Sequence, residues 1–334
     1  GLPGDSEQHQ KSGGEGAVIV SATISLAASF LFHPPSKAKE AVVPTLAIAV
    51  LIFTVFGPNR LMEVRMSPYR ELSSILNFPG AKTIKTIFSP SGRMDIIESP
   101  AVRAAPGISL TSQASLPPQL GFTINGGALS TVTSREEDLS FLHHLPSSLP
   151  YLLKRGGDVF IINPGGGMEA LSALEHGAEN LLASETRGIV LSAMKNEFFD
   201  FSGRLYDEIT IRHGYGRNLL RESERSFDII QLPLTDTLGS SSSGIMGLQE
   251  EYNLTVEAFS EYIRHLNKDG FLSASIYLLP PPRQELKLLS SIVRALELTG
   301  NEPAKERVIA IRSWGVLTLL AKNGVISPSE IETV

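Results

Sequence analysis

The sequence predicts an α/β fold: a mostly parallel sheet as the main body, a small antiparallel β unit before it, and an N-terminal transmembrane helical hairpin. Three observations carry this. Two uncharged apolar runs occupy residues 16 to 32 and 41 to 56. Residues 60 to about 135 alternate short apolar runs with turn formers. From residue 150 onward, strand-like and helix-like segments alternate, which demands crossover helices between parallel strands.

The first observation concerns "GAVIVSATISLAASFLF" and "AVVPTLAIAVLIFTVF", each near the lower limit of the roughly 17 to 25 residues that cross a bilayer. The charged, proline-containing "HPPSKAKE" between them suits a tight connection. A cleavable signal peptide needs a basic leading region, whereas "GLPGDSEQHQKSGGEG" is mixed in charge and glycine-rich, and a second apolar run follows at once. A membrane hairpin over residues 1 to 58 is the expectation. The chain begins without methionine, which suggests a longer polypeptide with more spans upstream. Arg60, Arg65 and Arg70 follow the second run, so the positive-inside bias puts the rest of the chain on the cytoplasmic side.

Composition narrows the chemistry. The absence of cysteine excludes disulfides, thiolate zinc sites and cysteine nucleophiles. A net charge of −6 without a basic run argues against a nucleic-acid surface.

Residues 59 to 135 hold "KTIKTIFSP", "SGRMDIIESP", "LGFTINGG" and "ALSTVTS". Asn125-Gly126-Gly127 between two β-prone runs is a hairpin signal, so a small antiparallel unit is expected, placed to cover or gate a site. Residues 136 to 330 then give strands at "DVFIIN", "ENLLAS", "EITIRH", "SFDIIQL" and "FLSASIY". The helices are "MEALSALEHG", "RGIVLSAMKNEFF", the amphipathic "TVEAFSEYIRHL", stopped by the turn "NKDG", and "RQELKLLSSIVRALELTG". "ERVIAIRS" and "WGVLTLLAK" lie too close together for a crossover helix, so the final strand must run antiparallel to its neighbour.

The segment with most chemical content is "FIINPGGGMEA", residues 160 to 170. Gly165, Gly166 and Gly167 permit close approach of backbone to a ligand, and the helix behind them offers free N–H groups. Read letter by letter, the turn also fits the dinucleotide fingerprint G-x-G-x-x-A. Glu185, 20 residues past Gly165, can accept both hydroxyls of a ribose, a role shared by nicotinamide and S-adenosyl sites. The chain closes on a β hairpin instead of a second mononucleotide half, which favours an adenosyl ligand over NAD. His143 and His144 have no carboxylate at ligand spacing, so no metal is expected. Motifs of serine hydrolases, zincins and P-loop enzymes are absent.

Five alternating βα units closed by a hairpin strand resemble the Rossmann-like class I methyltransferase fold. With the β unit ahead of it, the chain is similar to spermidine synthases, and most of all to the membrane-anchored spermidine synthase-like proteins of bacteria. The resemblance rests on "SPYRELSSILNFPGAK", "SPSGRMDIIESPAVR", "APGISL", "FLHHLPSSLPYLL", "NPGGGMEALSALEHGAENLLASE", "FDIIQLPLTDT" and "YNLTVEAFSEYIRHL", over roughly residues 66 to 300. It implies S-adenosylmethionine or its decarboxylated form as cofactor. The implied contacts are Asn163, the three glycines, Glu185, Gly216 and Arg217, with Asp236 as the catalytic carboxylate. It also implies a small-molecule amine or other acceptor, a second copy of the chain as partner, and a bacterial inner membrane location.

Three positions depart from the family. Tyr215 stands where an acidic residue meets the adenine amino group, and Pro233 where the first of two aspartates takes the proton of the attacking amine. Asp138-Leu139-Ser140 replaces the Tyr-His-Glu segment that grips the polyamine. "LGSSSSGIMGLQEEY", 238 to 252, falls at the family's active-site loop. Three readings stay open: aminopropyl transfer, methyl transfer, and a transferase-like module that has lost catalysis.

Overall fold

The computed structural model describes residues 21–26, 28, 45, 47–49, 52, 67–90, 92–235, 252–278, 280, 281 and 283–334. The chain divides into two compact units, Gly1–Pro68 and Tyr69–Val334. In the first, residues 21–26 are helical, and Ser25 Oγ donates to the Ser21 carbonyl at 2.8 Å. Most of the expected membrane hairpin lies outside the described residues, and among those described no helix is long and apolar enough to cross a membrane.

In the second unit, helix α1 (Glu71–Ile75) precedes four strands, β1 (Lys82–Ser89), β2 (Gly92–Glu98), β3 (Gln119–Ile124) and β4 (Ser130–Thr133). They form an antiparallel meander in the order β1-β2-β3-β4, the small sheet expected from the sequence. The Asn-Gly signal is realised as a type I′ turn. Asn125 and Gly126 take φ of 52° and 66°, and Gly127 N–H donates to the Ile124 carbonyl at 2.9 Å.

Helix α2 (Leu149–Leu153) leads into the large sheet. Its strands and helices alternate as β5 (Asp158–Ile162), α3 (Met168–Glu175), β6 (Asn180–Glu185), α4 (Gly188–Lys195), α5 (Leu205–Glu208), β7 (Thr210–His213), α6 (Gly216–Arg221) and β8 (Phe227–Thr235). Then come α7 (Val256–Arg264), β9 (Leu266–Tyr277), α8 (Gln284–Leu298), β10 (Val308–Ser313), β11 (Val316–Lys322) and α9 (Pro328–Thr333). The sheet order is β10-β11-β9-β8-β5-β6-β7. β11 pairs antiparallel with both β9 and β10, as the short connection required, and the other strands are parallel.

Central strand β5 is buried on both faces. Val159 and Ile161 enter a core shared with Met94, Ile96, Phe122 and Val132 of the small sheet, where the Phe122 and Phe198 rings lie 5.8 Å apart. Phe160 and Ile162 enter the opposite core, against Phe259, Tyr262 and Ile263 of α7 and Ile292 and Leu296 of α8. The α7 stripe is what its spacing predicts, and Thr255 Oγ1 caps the helix by accepting from Ala258 N–H at 3.2 Å.

Two details differ from the sequence reading. "NKDG" does not precede the fifth strand but lies within it: Phe227 pairs with Leu266 and Ile229 with Phe271, so Asn267–Gly270 are looped out against Asp228 alone. Asp269 takes φ 62° in that bulge, and its N–H donates to the Asn323 carbonyl. On β8, three steps from Leu232 to Thr235 face two on β9, a β-bulge that contains Pro233. A proline lacks the N–H a regular ladder needs, so a bulge is where one fits in a central strand.

Candidate functional site

The C-terminal edges of β5, β6 and β7 gather Asn163, Gly165, Gly166, Gly167, Glu185, Gly216 and half-buried Arg217. Asp236 lies outside the described residues. The chain leaves β5 through Asn163 in the left-handed region, φ 57°, which asparagine tolerates better than other residues with a Cβ. Asn163 N–H donates to the Ser184 carbonyl at 2.7 Å, and its Oδ1 accepts from Thr186 N–H at 3.0 Å and Thr186 Oγ1 at 3.1 Å. Asn163 thus braces the ends of β5 and β6 against each other.

The three glycines have separate tasks. A Cβ on Gly166 would stand 1.8 Å from the Thr131 carbonyl oxygen of β4, and one on Gly167 would stand 2.4 Å from Leu205 Cδ2. These two are required by packing within the chain. Gly165, φ 58°, is the open one, with Arg187 Nη2 nearest at 3.7 Å from its virtual Cβ. Gly216 is buried against Ile162 and Ser184, and exposed Tyr215 precedes it as the N-terminal flank of α6.

Glu185 is fully buried. Its Oε2 accepts Gly165 N–H at 3.2 Å, and its Oε1 accepts Arg187 N–H at 2.9 Å and Arg187 Nε at 3.3 Å. On the far side of the turn, Tyr206 OH donates to the Gly165 carbonyl at 2.7 Å. Burial holds the Tyr206 hydroxyl well above the usual phenol range, with Glu185 adding to it, so it stays a neutral donor. Arg187 and Tyr206 went unread in the sequence. Arg187 had a signal, a cation two residues past the acidic one; Tyr206 had none.

A small recess opens beside this edge, between Met168 and Glu169 of α3, Leu234 of β8 and Val316 and Thr318 of β11. Its space, about 10 Å³, is of the size that admits one water. Asp138 is not directed to it. Its two oxygens accept Ser140 N–H at 2.9 Å and Ser140 Oγ at 2.6 Å, and these bonds hold the carboxyl below the usual range.

A second polar cluster lies under the large sheet. Tyr151 and Gln231 are buried and hydrogen-bonded through Tyr151 OH and Gln231 Oε1, and Gln231 Nε2 donates to the Ser147 carbonyl at 2.9 Å. Tyr151→Phe strips that acceptor of its donor. Equilibrium unfolding should show a loss of about 1–3 kcal/mol, the usual cost of leaving a buried polar atom unpaired.

Tyr151 also stacks on His176 at 5.5 Å, and His176 Nδ1 lies 2.7 Å from the Ser172 carbonyl. A carbonyl only accepts, so Nδ1 carries the proton and Nε2 accepts from His143 Nδ1 at 2.9 Å. Burial pushes the His176 pKa below 6.5, with His143 and Arg155 in the same sense and Glu175 and the Ser172 carbonyl opposing. A base whose folded pKa is depressed leaves the unfolded chain binding more protons. Its contribution is present above 6.5 and lost as pH falls below it. His176→Gln is therefore expected to lose less melting temperature than the parent between pH 7.5 and 5.5. Among the described residues, no group of three or more His, Asp or Glu gathers as a metal site.

No protein-family model and no curated protein matches the chain. Solved structures do. The spermidine synthase of Thermotoga maritima is 19% identical, with 74% of this chain and 75% of that one aligned at a TM-score of 0.50. A spermidine synthase in complex with the transition state analogue AdoDATO is 18% identical over 74% of each chain, at 0.48. The ribosomal protein L11 methylase of Lactobacillus delbrueckii subsp. bulgaricus is 18% identical over 55% of this chain and 78% of that one, at 0.36. With its antiparallel meander ahead of the large mixed sheet, this chain has the class I methyltransferase fold in its spermidine synthase-like arrangement.

Proposed function

We propose that this chain binds an adenosyl sulfonium nucleoside, S-adenosylmethionine or its decarboxylated form, over the C-terminal edges of β5 and β6. It then transfers a group, aminopropyl in the first instance, to a small-molecule amine. One observation carries the reading: the buried Glu185 carboxylate at the end of β6, one strand from an open glycine turn. The donor set fits the ribose half of such a ligand, since a carboxylate accepts from hydroxyls and Gly165 leaves room beside it.

When bound, the sulfonium supplies a carbon activated toward attack. The chain's own residues orient and hold. Glu185 accepts ribose hydroxyls, Tyr206 fixes the Gly165 peptide from behind, and Met168 and Glu169 line the recess beside the turn. Asp236 is assigned to hold the cationic acceptor. Pro233 has no ionisable group, so the proton of the attacking amine leaves to Asp236 or to solvent. In this reading residues 16 to 32 and 41 to 56 anchor the chain to a bacterial inner membrane, with the transferase unit on the cytoplasmic side as a homodimer.

A second reading, binding without turnover, is favoured by Pro233 in place of a carboxylate and by Asp138 held in a local turn. Calorimetric titration with S-adenosylmethionine, its decarboxylated form and methylthioadenosine is the first test. Incubation of the decarboxylated form with putrescine, monitored for methylthioadenosine, is the second. Binding with product supports aminopropyl transfer, binding without product selects the second reading, and no binding rejects both.

A further inference from the structure

The carboxylate assigned to the ribose is already engaged. A carboxylate offers about four acceptor positions. On Glu185 three are filled, by Gly165 N–H, Arg187 N–H and Arg187 Nε. Two ribose hydroxyls cannot both be accepted until one of these donors leaves. The two backbone N–H groups are held by their surroundings: Gly165 is tied through its carbonyl by Tyr206, and Arg187 N–H sits at the start of α4. The movable donor is the Arg187 side chain, 39% exposed, whose guanidinium reaches to within 3.7 Å of the position a Gly165 Cβ would take.

From this, and resting on the adenosyl reading above, we propose that Arg187 is an internal occupant of the ribose site. In the free chain it neutralises a carboxylate that burial would otherwise leave uncompensated; when a ribose binds, the side chain swings into solvent and both hydroxyls take its place. Arg187 therefore sets how much the second hydroxyl of a ligand is worth. A nucleoside with both hydroxyls displaces it. One that lacks a hydroxyl takes the fourth acceptor position and leaves the arginine where it is, so displacement costs only the ligand with both hydroxyls, and the preference for it is narrower than an open carboxylate would give.

The test uses methylthioadenosine, which carries no charge, so its affinity reports displacement and not attraction to the arginine. Calorimetry compares the parent chain with Arg187→Ala and with Arg187→Met, which keeps an apolar stem and drops the guanidinium. Both variants are expected to bind about three- to tenfold tighter, the range for removing one half-exposed charge-assisted bond. The ratio of affinities between methylthioadenosine and its 2′-deoxy analogue is expected to widen in both, because only the ligand with both hydroxyls is relieved of the displacement. Measurable binding of methylthioadenosine by the variants, where the parent binds only the adenosyl sulfonium forms, also supports the proposal. If the parent binds and the variants bind equally or more weakly, Arg187 is not an occupant, while the adenosyl reading stands. If none of the three binds, the adenosyl reading falls and takes this proposal with it.

Discussion

Gly166→Ala is expected to destabilise the fold by about 3 kcal/mol or more, the upper end of what forced overpacking costs. The new Cβ would stand 1.8 Å from the Thr131 carbonyl oxygen and 2.7 Å from its carbon. Both are backbone atoms, so no side-chain rotation relieves the clash. Thr131 is held in register opposite Gly121 of β3, and its neighbour Val132 is buried in the core shared by the two sheets. Moving β4 away would open that core. Gly165→Ala is the control, because it adds strain without a clash: φ of 58° costs a residue with a Cβ roughly 1–2 kcal/mol, while the nearest atom lies at 3.7 Å. Urea unfolding of the two variants checks the order. Equal losses would mean that Gly166 is not in fact the point where the two sheets lock.

The same comparison marks how far the sequence could be read. The glycine turn, its strand and its helix were legible because β5 is a short apolar run broken by glycines and followed by helix formers. The three glycines looked alike, as a cradle for a ligand. Two of them instead accommodate Thr131 and Leu205, partners 35 and 38 residues away on other elements, and no local pattern reveals such a neighbour. Glu185 was legible from its distance to the turn. Its engagement by Arg187 was not, since spacing brings a cation near but does not say which way a long side chain lies. The position of "NKDG" was misread for a related reason: turn formers mark a break in regular backbone, and a bulge inside a strand uses the same residues as a turn before it. Asn163 carries the turn out of β5 in the left-handed region, which its residue type allows but does not announce. Pro233 is accommodated by a bulge, so the fold tolerates it.

Replacing Glu185 should separate folding from binding. In Glu185→Ala the Gly165 N–H loses its acceptor at a buried position, which costs about 1–3 kcal/mol of stability. The Arg187 side chain adds little to that loss, because its 39% exposure lets it turn to water. Binding should suffer more. Two charge-assisted bonds to a ribose, each worth about 1.5–3 kcal/mol, disappear together, and the cost of displacing Arg187 disappears with them, so the affinity for methylthioadenosine is expected to fall at least about tenfold. Glu185→Gln sharpens the separation. Its amide keeps one oxygen, enough to accept either Gly165 N–H or the Arg187 donors, but its nitrogen must then face the other donor. The fold should hold with a smaller loss of melting temperature than in the alanine variant. The bidentate acceptor for two hydroxyls is nonetheless gone, and with it most of the affinity. A glutamine variant that unfolds readily yet, where folded, binds the nucleoside like the parent would assign Glu185 to the architecture of the turn alone. The reverse outcome, a stable fold with binding lost, makes it the ribose contact.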